Sequence, residues 1–252
     1  MTSPEVVALM LADGRLPTGG HTQSAGLEPA VRAGLGADGE QLADVAAYAR
    51  DRLRTITRVE AAVAVLARHV ALPPGSGSPS RRFGLKNPAS GDQDPPVSDD
   101  SAARLGAVEG AWAARTPSEV LRRVSRRQGR AYLRLATRVW PDVLQHLAAD
   151  SETPRPVVVG VIGAVTGLSA EQVARLVAYD DAQTVVSASL KLLPVDPADA
   201  AGWLAGLHDD IERLVTDVAP LTEIEKLPAD GAPLIDVLAH NHAAERMRLF
   251  HA

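Results

Sequence analysis

The stretch from Asp38 to Ala71 constrains the fold most. Val45, Tyr48, Leu53, Ile56, Val59, Val63, Leu66 and Val70 return every three or four residues, while Arg50, Arg54 and Arg58 fall on the other side. That is the period of a helix with one apolar face. No convincing period-2 run and no repeat of fixed length occurs anywhere in the chain. The sequence is 46% hydrophobic but only 3% aromatic, so its core must be built from Ala, Leu and Val. Ala and Leu are strong helix formers. The expectation is a single all-α domain over residues 1–252, a bundle of roughly seven to ten helices.

Local signals divide the rest. Val6–Ala12 reads as one or two helical turns. Residues 72–101 are over half Pro, Gly and Ser and offer almost no apolar surface to offset ordering entropy. They read as a flexible insertion. A helix should start near Thr116 or Ser118 with Pro117 at its first position, bury Leu121, Val124, Gln128, Leu135 and Val139, and break at Pro141. Val157–Thr166 reads as an apolar helix with Gly160, Gly163 and Ala164 at close-packing spacing. Ser169 and Gln172 form a capping-box pattern for a helix reaching about Leu193. Asp199 can cap another, with Trp203, Leu207, Ile211 and Leu214 on its face. Residues 228–252 read as an irregular, polar tail.

The chain has no cysteine, which excludes disulfides, thiolate metal sites and a cysteine nucleophile. Its net charge of −5 disfavours general duplex binding. The start, MTSPEVVALML, has no basic n-region, and Val157–Leu168 is too short to span a bilayer. A soluble, cytoplasmic protein is expected.

Three features invite chemistry. The first is RLPTGGHTQSAGLEPAV, from Arg15 to Val31. A phosphate-cradling loop needs a lysine beside the last glycine, but His21 follows Gly20 and the first lysine is Lys86. A serine nucleophile at Ser24, with His21 as base and Asp13 as orienter, would need a strand–elbow–helix context that is missing. Ser24 reads better as a helix cap. The second feature is the histidines of the tail. His240 and His242 diverge if helical and share a side if extended. No third ligand is evident, and solvated histidines are the expectation. The third is Arg122, Arg126, Arg130, Arg134 and Arg138, a row at four-residue spacing that is either a solvated face or a docking surface for an acidic partner.

Leu16, Pro17, Gly19, Gly20, Ser24, Gly26, Leu27 and Glu28 together resemble the N-terminal signature of the urease accessory protein UreF family. VVSASLKLLPVDP is similar to a later helix of that family. Pro233, Asp236, His242 and Arg248-Leu249-Phe250 are similar to its C-terminal pattern. Three positions depart from it: His21 stands where an aromatic is usual, Lys191 where arginine is usual, and Ala243 where a glutamate commonly follows the histidine.

The resemblance implies an all-α, homodimeric, non-enzymatic protein with no cofactor of its own. It implies a bridge between a second accessory protein, UreD/UreH, and the GTPase UreG, in an assembly that delivers nickel to apo-urease. Partner contacts would fall on Leu16, Pro17, Gly19, Gly20, His21, Ser24, Gly26, Leu27, Glu28, Lys191, His242, Arg248, Leu249 and Phe250. The glycine loop and the C-terminal tail would be ordered by partners, with Leu16, His21 and Glu28 displayed outward. The Gly160 helix would pack in the dimer or along a nickel passage. The alternative is a helical DNA-binding regulator that uses the Arg122–Arg138 stripe.

Overall fold

The computed structural model describes residues 3–36, 42, 44–72, 99–245 and 248–250, apart from the side chains of His21, Asp99 and Asp100. The insertion expected over 72–101 falls, but for its ends, outside the described residues, as does His251. Among the described residues the architecture is all-α, with no strand.

Two helices open the chain, α1 (Pro4–Leu11) and α2 (Leu27–Arg32), joined by the glycine loop with a short 3-10 turn at Gly20–Thr22. The Asp38–Ala71 rhythm resolves into α3 (Asp44–Arg54) and α4 (Ile56–Ala71), separated at Thr55, whose φ of −124° and ψ of −101° leave the helical region. The apolar period runs across this break, so periodicity alone does not show it. Next come α5 (Asp99–Arg115), α6 (Glu119–Val139), α7 (Arg155–Thr166) and α8 (Ala170–Leu192). The chain closes with α9 (Pro197–Ala205), α10 (His208–Val218) and α11 (Pro233–Ala243).

The core is the contact of α4 with α7 and α8. Every residue of α7 from Arg155 to Gly163 is buried. A Cβ on Gly160 would lie 2.3 Å from the Ala64 carbonyl oxygen of α4, and one on Gly163 would lie 2.4 Å from Val173 Cγ2 of α8. The small residues therefore bring α7 against its own chain. This corrects the expectation that the Gly160 face packs in a dimer: that face is filled from within the chain.

Side-chain caps set three of the helix starts. Ser169 and Gln172 form the reciprocal box at the start of α8. Ser118 caps α6 by accepting the Leu121 N–H, which places Pro117 before the cap rather than inside the helix. Asp196, not Asp199, caps α9, and Pro197 takes its first position.

The buried face of α6 is also rotated from expectation. Ser125, Gly129, Tyr132, Leu133 and Ala136 point inward, while Val139 is exposed. Gly129 explains the turn. A Cβ there would sit 2.0 Å from the Thr153 carbonyl oxygen, so α6 lets the 153–155 backbone approach along its smallest residue. Finally, the stretch expected to be an irregular tail contains the helix α11.

Candidate functional site

The conspicuous polar arrangement lies where the two ends of the chain meet. Its scaffold is the turn Ser24-Ala25-Gly26-Leu27-Glu28. Gly26 has φ of +78°, and a Cβ there would stand 2.7 Å from Tyr48 Oη, so both the backbone conformation and the space require glycine. Ala25 is also left-handed, at φ +51°, a conformation with a cost of roughly 1–3 kcal/mol that surrounding contacts must hold in place. Tyr48 Oη does so by donating to the Ala25 carbonyl at 2.9 Å. Ser24 is fully buried, and its Oγ accepts the Glu28 N–H at 3.3 Å. It is not the N-cap of α2, which is Gly26, but satisfies one N–H of the first turn from two residues earlier, with no access for a nucleophilic role.

This turn aims Glu28 inward. Glu28 is 1% exposed. One carboxylate oxygen accepts the Leu249 N–H at 2.9 Å and the other accepts the Phe250 N–H at 2.8 Å. Arg32 donates to the same carboxylate at 2.7 Å and also meets Glu245. His242, equally buried, places Nδ1 3.3 Å from Glu245 and Nε2 3.4 Å from Glu28, where Nε2 makes no hydrogen bond. Burial pushes the Glu28 carboxyl upward, but the two tail N–H groups, His242 and Arg32 outweigh it and hold its pKa below the ordinary carboxylate value.

These contacts correct two expectations. Glu28 is not displayed toward a partner but turned into the chain. The glycine loop and tail are ordered by each other within a single chain. The histidine expectation also changes: α11 is helical, so His240 is exposed while His242 is enclosed.

The structure brings several predicted residues to one cleft of about 320 Å³, whose walls include Gly20, Lys191 and Phe250. Phe250 is buried, and Lys191 Nζ sits 5.2 Å from its ring centroid, in cation–π range. An ammonium can occupy an aromatic face there without the planar fork of an arginine. Leu16 and Leu27 pack on or within the core, whereas Pro17, Arg248 and Leu249 face outward, Leu249 at 60% exposed. Gly19 adopts φ of +82° ahead of the Gly20–Thr22 turn that contains His21.

A second polar cluster was not anticipated. Arg52 binds Asp181 in two places, at 2.7 and 3.0 Å, and Thr57 donates to the same carboxylate at 2.7 Å. Arg155 donates to Asp180 at 2.6 Å and to Glu60 at 2.7 Å. Two guanidinium groups thus face three carboxylates. Burial raises the Asp180 pKa, and Arg155 only partly opposes it because Asp181 and Glu60 are close by. Asp181 is also penalised by burial, but Arg52 leads the interactions that keep it low. The only sequence signal was the charged pair Asp180-Asp181 inside an apolar helix.

The arginine row divides. Arg122 donates to the carbonyls of Thr116 and Pro117, and Arg126 meets Glu109 and lies over Trp112. Arg130 pairs with Glu152. Only Arg134 and Arg138 remain exposed without a partner among the described residues. An α-helix turns 100° per residue, so a four-residue row drifts about 40° per step and its first members rotate into the protein.

Among the described residues, no group of three or more His, Cys, Asp or Glu side chains could hold a metal ion. No helix among them is long and apolar enough to cross a membrane.

Comparison with known proteins follows the same lines. Residues 40–208 match the UreF family. The urease accessory protein UreF of Mycolicibacterium vanbaalenii is 34% identical over 243 residues, covering 96% of each chain. That of Mycobacterium sp. strain JLS is 36% identical over 244 residues with the same coverage. That of Mycobacterium bovis strain BCG Pasteur is 33% identical over 252 residues, covering 98% of each. These relatives are named as accessory proteins rather than enzymes, which displaces the reading as a DNA-binding regulator. The buried SAGLE turn, the docked tail and the all-α core therefore belong to a member of the urease accessory protein UreF family.

Proposed function

We propose that this chain is a scaffold for urease maturation. In this reading it is a cytoplasmic homodimer that holds a UreD/UreH accessory protein and the GTPase UreG together while nickel is delivered to apo-urease. One observation carries the reading. The tail that ends in Arg248-Leu249-Phe250 is pinned through its backbone to Glu28, with Phe250 buried and Leu249 left outside. An exposed leucine on a fastened segment suits a contact surface, because the ordering cost has been met before a partner arrives.

The predicted partner-binding residues then take two roles. Ser24, Gly26, Leu27, Glu28, His242 and Phe250 shape the platform from within. Pro17, Arg248 and Leu249 present it, with Leu16, Gly19, Gly20, His21 and Lys191 setting the loop and cleft beside it. The test is coexpression with the urease genes and the other accessory proteins, comparing the intact chain with Leu249→Ala and with a chain truncated after residue 243. Loss of copurification and of urease nickel, with helical content retained, is the expected result. Unchanged copurification of the truncated chain would overturn the assignment of the tail.

A further inference from the structure

The outward face of α6 concentrates positive charge. This helix carries seven arginines against one glutamate, in a chain whose net charge is −5. Its buried residues, Ser125, Gly129, Tyr132, Leu133 and Ala136, fix which side is outward. At about 100° per residue, Arg123, Arg127, Arg130, Arg134 and Arg138 fall within about 80° of one another, opposite that buried side. All five are exposed. This is not the four-residue row legible in the sequence. Arg122 and Arg126 turn aside to Thr116, Pro117, Glu109 and Trp112, and Arg123 and Arg127 take their places.

The face is little neutralised. Arg127, Arg134 and Arg138 have no partner among the described residues. Arg123 meets Glu119 and Arg130 meets Glu152, but each of these four side chains is more than half exposed. Exposed pairs hold weakly and exchange for a competing carboxylate. From Arg123 to Arg138 the row spans about 22 Å, some four helical turns. Neighbours along it lie about 5–6 Å apart, which is also the spacing of carboxylates three or four residues apart on a second helix. A polyanion longer than the row would run past it into the field of an otherwise acidic chain. Bases would find no ring to stack on, because the one aromatic residue of α6, Tyr132, is buried. Length and surface chemistry therefore favour a short acidic protein segment over nucleic acid. We propose that this face docks an acidic helix of a partner protein, about four turns long, with carboxylates recurring every three or four residues. The assignment does not rest on the scaffold reading.

The probe is a fluorescein-labelled alanine–glutamate peptide about four turns long, patterned in this way, titrated with the full chain at low salt and followed by anisotropy. Its comparators are a peptide of the same composition with the glutamates in one block, a lysine counterpart, a random DNA duplex of similar length and phosphatidylglycerol vesicles. Saturable binding of the patterned peptide is expected, weakening as salt rises, with the block peptide bound less tightly and the lysine peptide not bound. Arg127→Gln/Arg134→Gln/Arg138→Gln should lower affinity about tenfold, the combined effect of three exposed pairs, and leave the thermal midpoint in place. Arg15→Gln/Arg213→Gln/Lys226→Gln removes the same charge from exposed sites elsewhere and should lower affinity by about twofold at most. Arg134→Gln alone gives a smaller drop of the same kind if the triple variant does not fold. No saturable binding at low salt, equal loss in the two triple variants, or equal binding of the block peptide would overturn the proposal. So would duplex or vesicles held as tightly as the patterned peptide, which would make the face a nucleic-acid or lipid surface.

Discussion

α7 and the junction of the chain ends are both buried, but they are buried by different physics. α7 is enclosed through shape: Gly160 and Gly163 let it approach α4 and α8 so closely that a single added carbon meets another atom at 2.3 or 2.4 Å. The junction is enclosed through polarity: one carboxylate, two backbone N–H groups, an arginine and a histidine. Packing of the first kind is non-directional and indifferent to pH. Fastening of the second kind can be released by one proton. The difference separates a part of the molecule that must never open from a part that can.

The largest expected effect probes the first kind. Gly160→Val should cost about 3 kcal/mol or more, because the obstructing atom is backbone and cannot move aside, and urea denaturation should show a lower midpoint or no folded protein. Next, Arg52→Met strands Asp181 in the interior and should cost about 3–5 kcal/mol, with Arg52→Met/Asp181→Leu recovering much of it. A double variant no better than the single would show that the pair does more than neutralise itself. Glu28→Gln keeps the shape of the junction but loses its charge and should cost about 1–3 kcal/mol. Its readout is faster proteolysis between residues 244 and 250 with helicity unchanged. Equal protection of that segment would show that the carboxylate does not fasten the tail.

Acid should mimic that substitution. The pKa of Glu28 is held below its ordinary 4.5, so its contribution is present above about pH 4.5 and fades as pH falls through the lower folded value. The tail should loosen there before the α4–α7 core melts, as hydrogen exchange can resolve. The smallest effect belongs to Arg134→Ala and Arg138→Ala, within about 0.5 kcal/mol on thermal unfolding, since both are solvated.

Sequence reading reached the helical class, the capping box at Ser169, the break at Pro141 and the family. These depend on local residues and short spacings. It missed what depends on a distant neighbour. The inward face of α6 turns on the backbone at Thr153, which no periodicity within α6 reveals. The direction of Glu28 was misread because a carboxylate following a glycine loop looks solvated until the chain returns to cover it. The buried pairs of Arg52 and Arg155 span sequence separations of 129, 25 and 95 residues, and apart from the charged Asp180-Asp181 step in an apolar helix nothing local marks them.

One consequence of the Glu28 contact concerns time rather than space. Glu28 leaves the ribosome 222 residues before Phe250, the residue whose N–H it holds. Until those residues have been added its carboxylate has water for a partner, and the turn that aims it has no tail to hold. The junction therefore cannot form before Phe250 has been made, and a chain cut ahead of it should fold its core yet lack this contact. Any partner that reads the fastened tail would in the same act be checking that translation had reached Phe250.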